Sequence, residues 1–424
     1  MSTQQEQIVA SVPAPAKQPR VPWARLGLFL LALATYALIN RGQATHLAYF
    51  VPLADAFLHG RLHLLDNPPW LNELVPWNGR YYVVYPPMPA VLLLPFVWLL
   101  GPGLDQARLS ILLGAANVYL ISGILIRMGL PRKTWLTYAL LFGFGTIQWF
   151  SAQVGSSWHF AHVCATLFLL LAVRSAQLGH RPWWIGLLLG CAATSRLPTL
   201  MAFPFFGAYL LHLARRFPGD APFASLRAAP TWRPLDLRRL LEAGGSLAVG
   251  LLLPLGAYLL YNQVRFGSPL QTGHSLIPGL LDEHQYRHGF FSAQSIGRNL
   301  YAMLLKAPNL VDRFPYAQPP VLGGLSLFLT TPAFLWAIKA RKRDLATLGA
   351  WAAILLTLVP ILLHADPGGD QFGYRYAQDF YPFLFLLAVH GMGDRPSFEA
   401  RLAIALSLLV NLWGMWATYI HWRG

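Results

Sequence analysis

Pro86-Pro87-Met88-Pro89-Ala90-Val91-Leu92-Leu93-Leu94-Pro95-Phe96-Val97-Trp98-Leu99-Leu100-Gly101 is the stretch on which the fold turns. It is apolar enough to enter a membrane, yet prolines interrupt it at 86, 87, 89 and 95. Each proline removes a backbone donor and crowds the preceding turn, and a backbone group freed in lipid needs another partner. Whether this stretch crosses decides the direction of every later segment. If it crossed, the loop 127–133, with Arg127, Arg132 and Lys133, would face outward. Loops rich in Lys and Arg stay on the cytoplasmic side. Residues 86–101 are therefore read as a helix lying in, or dipping into, the outer leaflet.

The rest of the chain follows by parity. Clear apolar runs occupy 23–40, 107–127, 134–150, 158–178, 244–262, 321–339, 345–363, 377–392 and 402–421. A further run, 183–213, is broken by Thr194-Ser195-Arg196-Leu197-Pro198. Charge bias requires two short crossings there, 183–195 and 197–213, with Arg196 on the outer side. The expectation is an all-α polytopic membrane protein of about eleven spans, amino end inside. Residues 1–22 are polar and proline-rich, and read as a disordered cytoplasmic tail. Residues 23–424 read as one transmembrane domain. Its outer loops are 41–106, 151–157, 263–320 and 364–376, the first containing surface helices.

Composition agrees. Of 424 residues, 55% are hydrophobic and 12% charged, with mean hydropathy +0.44. Soluble proteins carry about a quarter charged residues, so a soluble enzyme is excluded. Lys plus Arg is 32 against 17 acids, a net charge of +15. Those basic residues sit in short loops between apolar runs, which points to topology rather than to a nucleic-acid partner. Cys164 and Cys191 both lie inside apolar runs and read as packing residues. They form no disulfide framework or metal-ligand spacing.

The inner loops are basic linkers, and the outer loops collect the acids and histidines. The first outer loop is the richest. Residues 48–59 read as an amphipathic surface helix ended by Gly60. Asp55 and His59 are four apart and share a face. His46 shares the Asp55 face only if the helix starts after it.

Several stretches together resemble the GT-C superfamily of membrane glycosyltransferases. They are Leu53-Ala54-Asp55-Ala56-Phe57-Leu58-His59-Gly60-Arg61-Leu62; Gly79-Arg80-Tyr81-Tyr82-Val83-Val84-Tyr85-Pro86-Pro87; Tyr261-Asn262 with Arg265-Phe266-Gly267-Ser268-Pro269; and Gln371-Phe372-Gly373-Tyr374-Arg375-Tyr376. Within the superfamily the chain looks most like bacterial relatives of the dolichyl-phosphate-mannose:protein mannosyltransferases. The resemblance covers most of residues 23–390. It implies transfer of a sugar from a polyprenyl-phosphate-linked donor to an acceptor hydroxyl at the extracytoplasmic face of the plasma membrane. The superfamily has an acid after the first span, where this chain has His46. It also has an acidic pair in the second outer loop, where Gln153-Val154-Gly155-Ser156-Ser157-Trp158-His159 holds no carboxylate. A divalent metal cofactor is thus left without its usual ligands.

Such chemistry needs a base for the acceptor proton. His46 is the first candidate and Asp55 the second. It needs cations for the leaving phosphate, for which arginine's planar fork is suited. The outer-face candidates are Arg375, Arg196, Arg80, Arg61 and Arg265. His59, Tyr85, His159, Gln371 and Tyr374 are candidate substrate contacts, and the prolines and aromatics of 81–98 would line a groove for the lipid tail. Each residue also has a plainer reading. The histidines would sit at headgroup level or bond between spans; Asp55 would pair Arg61; Arg61 and Arg80 would hold lipid headgroups; Arg196 would cap a helix; Arg375 would pair Asp379. Two other functions stay open: a lipid or glycolipid transporter or flippase, and a non-catalytic protein on the same scaffold.

Overall fold

A computed structural model describes residues 22–40, 47–215, 222–226, 234–312, 314, 316–340 and 344–423. The tail 1–21, most of the basic loops 215–239 and 339–343, and the catalytic candidate His46 lie outside the described residues.

The chain begins with α1 (Pro22–Asn40) and the short α2 (Phe50–Leu58). Then come a hairpin, β1 (Leu74–Trp77) and β2 (Arg80–Val83), and α3 (Met88–Leu100). Four helices follow: α4 (Gln106–Arg127), α5 (Arg132–Phe144), α6 (Gln148–Val154) and α7 (Ser157–Leu178). Next are α8 (Pro182–Ala193), α9 (Phe203–Arg215) and α10 (Leu237–Phe266). The last third holds α11 (Ser295–Leu304), a two-residue pairing of β3 (Asn309–Leu310) with β4 (Ala317–Gln318), and α12 (Leu327–Thr330). It ends with α13 (Leu345–Leu363), α14 (Tyr381–Met392) and α15 (Phe398–Arg423).

Among the described residues, seven helical segments are long and apolar enough to cross a membrane: Trp23–Asn40, Gln106–Arg127, Ser157–Leu178, Leu197–Arg215, Leu237–Phe266, Leu345–Leu363 and Phe398–Thr418. The other four expected spans take different forms. The run 134–150 is broken at Gly145 into α5 and α6. The run 321–339 is α12 followed by a 3-10 helix, Pro332–Lys339. The run 377–392 is the end of a 3-10 helix, Arg375–Phe380, joined to α14. The run 183–195 is the 12-residue α8. A mean hydropathy does not register such breaks, because proline and glycine interrupt a helix without making it polar.

The proline stretch is the 13-residue α3, with Pro95 inside it. At about 20 Å it is shorter than the roughly 30 Å hydrocarbon layer, as is the 12-residue α8. It packs on α2, which starts at Phe50 rather than at 48. Pro52 fits there because the first helical turn has no use for its missing N–H. The Tyr49 amide donates to Ser157 Oγ (2.8 Å) and the Phe50 amide to Gln106 Oε1 (3.2 Å), which ties α2 to the starts of α7 and α4.

The all-α expectation requires correction at the hairpin. Leu74 pairs with Val83 and Trp77 with Arg80 across an Asn78-Gly79 turn. Both turn residues have positive φ, +49° and +72°, which is the tight turn that Asn-Gly favours between twisted strands. Strands of four residues are too short to stand out by alternation in so apolar a chain.

Helices α8 and α10 cross closely on small residues. A methyl group at Gly186 would collide with the Leu247 carbonyl, and one at Gly250 with the Trp183 carbonyl. Membrane helices use such residues to bring backbones together. Gly250→Ala is expected to lower stability by about 1–3 kcal/mol, measured as the thermal midpoint in detergent. Gly256→Ala on the same helix, where nothing lies within 4 Å, should leave the midpoint within experimental scatter.

Candidate functional site

The loops 41–106, 263–320 and 364–376 meet at the start of α7. Trp158 follows Ser156 and Ser157 at the head of the helix. Its indole Nε1–H points to Tyr85 Oη (2.6 Å) and to Glu73 Oε2 (3.0 Å). Glu73 sits just before β1, and its amide donates to Tyr49 Oη (3.0 Å). Burial raises the Glu73 carboxyl to about 6, opposed by the Trp158 hydrogen bond and the charge of Arg375. The Tyr85 ring packs edge-on against Tyr49, Phe50 and His274.

Two arginines reach this cluster. The Arg375 guanidinium lies 5.2 Å from the Trp158 ring and 5.1 Å from the Tyr376 ring, and Nη1 donates to the Gly369 carbonyl. Arg196 lies 5.4 Å from the same Tyr376 ring. Its Nε and Nη2 donate to the two oxygens of Asp379 (3.2 and 3.0 Å). His162 Nδ1 stands 2.9 Å from Asp379 Oδ1, and both side chains are fully buried. The turn at Arg196 is thus fastened by a forked ion pair, and Asp379 pairs with Arg196 rather than with its neighbour Arg375. That pairing offsets the Arg196 charge and leaves Arg375 as the stronger candidate for an anion.

Two histidines complete the cluster. His364 packs edge-on against Tyr376 and takes the Asp366 amide at Nδ1 (3.2 Å). Burial lowers its pKa. His274 is lowered to about 4, first by burial and then by His364 and the arginines. Both shifts favour the neutral ring.

Other candidates fall elsewhere or have different work. Asp55 pairs with His59 (3.6 Å) and Arg61 (3.7 Å) at the end of α2, apart from the Arg375 cluster. Arg80 is exposed at the tip of the hairpin. Arg265 is buried: Nη1 donates to the Val83 carbonyl (2.6 Å), Nη2 to Asn262 Oδ1 (2.7 Å), and Tyr261 and Phe266 cover its planar group. It joins the hairpin to α10. His159 has Ser151 Oγ at Nδ1 and the Asp370 carbonyl at Nε2, both at 3.1 Å, and so braces α6 and α7 against the 370 loop. Gln371 holds that loop closed, donating to the Pro367 and Gly368 carbonyls and accepting the Arg375 amide. Tyr374 is buried against Tyr376.

Glu73, Trp158, His274 and His364 have no assigned role in the sequence reading, and Asp379 enters it only as a partner for Arg375, whereas the structure pairs it with Arg196. Glu73 had one local signal, a lone acid between Leu71 and Leu74 ahead of an Asn-Gly turn. The others are joined to the site only by contacts distant in sequence. Among the described residues, no group of three or more His, Cys, Asp and Glu side chains could hold a metal ion. The donor set around Glu73 is dominated by arginine and aromatic groups, which does not fit a divalent cation.

No family model and no curated protein matches the sequence. Two solved structures are similar in shape. One is the Archaeoglobus fulgidus oligosaccharyltransferase in the apo form (13% identity, TM-score 0.42). The other is the oligosaccharyltransferase AglB from Archaeoglobus fulgidus in complex with an inhibitory peptide and a dolichol-phosphate (14% identity, TM-score 0.41). Each match takes in 94% of this chain but 55% of the other, so the chain spans about half their length. Likeness at this level does not by itself assign an activity.

Proposed function

We propose that the chain is a GT-C-type membrane glycosyltransferase. It moves a sugar from a polyprenyl-phosphate-linked donor to an acceptor hydroxyl, with inversion, on the extracytoplasmic face. The observation that carries this reading is the convergence of Arg375 and Arg196 on the Tyr376 ring, beside the Glu73 carboxyl held by Trp158. An arginine next to a carboxyl that titrates near neutrality supplies the two opposite requirements of the reaction. The bond from sugar C1 to the phosphate oxygen breaks, and its electrons leave with the polyprenyl phosphate. Arg375 stabilises that negative charge as it develops. The acceptor oxygen bonds to C1 and gives up its proton to a base.

Glu73 is the base best placed among the described residues, since it lies within the field of Arg375. His46 and Asp55 are the other two candidates. Aromatic rings of Tyr85, Trp158 and Tyr376 offer faces for a sugar, and α3 with the hairpin offers apolar surface for the lipid chain.

The test is a membrane assay with a panel of labelled polyprenyl-phosphate sugars. Label is expected to pass to an acceptor from one member of the panel. If folded protein moves label from none of them, the proposal fails. A base must be ionised to act, so the rate should climb with pH through about 6, where Glu73 titrates. Glu73→Gln should remove that limb and lower the rate by about 10²-fold or more. A limb that persists in Glu73→Gln and disappears in His46→Ala or Asp55→Asn would move the base to that residue.

A further inference from the structure

Three arginines meet at the other end of α7, away from the Trp158 cluster. Arg25 is in the first turn of α1, Arg127 is the last residue of α4, and Arg174 lies one turn before the end of α7. Arg25 Nε donates to Ser122 Oγ and Nη2 to the Tyr119 carbonyl, both at 3.1 Å, and its planar group lies 3.8 Å from the Tyr119 ring centre. Arg127 Nη2 donates to the Gln177 carbonyl (3.1 Å). Arg174 Nη1 and Arg127 Nε are buried without a hydrogen-bond partner. Among the described residues no carboxylate pairs with any of the three.

Gly123 makes room for this arrangement. A Cβ there would lie 2.8 Å from Arg25 Nη2 and 2.9 Å from Arg174 Nη1. The two cationic tips therefore stand within about 6 Å of each other, a separation at which like charges disfavour one another. Cations at the end of an apolar bundle are costly without a counter-charge, and the described residues supply none. Arginine forks fit tetrahedral phosphate oxygens. The setting also suits a headgroup. Trp23, two residues before Arg25, is 75% exposed, as an aromatic at a membrane interface would be, and Leu26 and Leu30 continue an exposed apolar face of α1.

We propose that Arg25, Arg127 and Arg174 form a phosphate-binding site. It takes a phosphate-bearing anion, either the headgroup of an anionic phospholipid or free phosphate. The site is independent of the sugar-transfer reading and lies at the opposite face of the bundle. Arg174 reaches in from α7, Arg25 from α1 and Arg127 from α4, so an anion held there would fasten three helices together.

The experiment uses the full-length protein, reconstituted with phosphatidylglycerol or phosphatidylcholine and examined by native mass spectrometry and thermal unfolding. Wild type is expected to retain phosphatidylglycerol over phosphatidylcholine, with each arginine lost lowering that preference roughly fivefold. Arg174→Gln should lower it, Arg174→Lys should keep part of it, and Arg238→Gln, an exposed arginine paired with Glu242, should leave it unchanged. Gly123→Ala keeps every charge but pushes the two tips apart, so it should also lower the preference even if Arg174→Gln does not fold. Inorganic phosphate that raises the unfolding midpoint of wild type but not of Gly123→Ala, with both lipids retained alike, would identify free phosphate as the occupant. If neither phosphatidylglycerol nor inorganic phosphate distinguishes wild type from Gly123→Ala, the site does not exist.

Discussion

Arg375→Lys is expected to lower sugar transfer about a hundredfold or more while expression and unfolding midpoint stay near wild type. Arg375 is buried between the Trp158 and Tyr376 rings and fixed at one nitrogen by the Gly369 carbonyl. A lysine keeps the charge but loses the planar fork and the stacking on both rings. Its three N–H donors fan out from one nitrogen and cannot offer a phosphate the parallel pair that a guanidinium edge gives. The loss should therefore appear in the rate at saturating donor, because the charge develops as the phosphate leaves. Initial rates with membrane-embedded protein measure this. A Lys variant as fast as wild type would remove Arg375 from the reaction.

Asp379→Ala is expected to cost about 3–5 kcal/mol of stability, the usual penalty when one member of a buried ion pair is removed. Asp379 and His162 are fully buried, and Asp379 receives both donors of the Arg196 fork. Truncation leaves the guanidinium facing Tyr376 without a carboxylate and leaves His162 Nδ1 without its acceptor. The unfolding midpoint in detergent should drop sharply. The double variant Arg196→Met with Asp379→Leu should recover part of the loss, because no charge is then stranded. If Asp379→Ala unfolds at the wild-type midpoint, the three-residue link does not hold the 196 turn to the 375–380 helix.

What the sequence reveals, and what it hides, follows from the range of each interaction. The surface helix ending at Gly60 and the short helix with Pro95 are visible because their signals are local: a terminating glycine, an i,i+4 face, interrupting prolines. The long spans are visible because 18 or more apolar residues are hard to miss. The broken ones are not, since 134–150, 321–339 and 377–392 keep their hydropathy through the interruptions. Of the five candidate arginines, Arg375 and Arg196 share the Tyr376 ring, Arg265 anchors the hairpin, and Arg61 and Arg80 lie apart from that ring. That sorting depends on contacts such as Arg196 with Asp379, which are 183 positions apart. No local pattern encodes them. Glu73 is an instance of the same limit. Its distinction is burial beside Trp158, 85 residues on.

The indole of Trp158 offers a single hydrogen to two oxygens, one on a phenol and one on a carboxyl group. When Glu73 is ionised it is the stronger acceptor; once protonated, it competes on equal terms with Tyr85. The ring's emission should therefore change as that proton comes and goes. Of the 15 tryptophans in the chain, this one is wired to act as a built-in optical titration probe, readable as the difference between the native protein and Trp158→Phe.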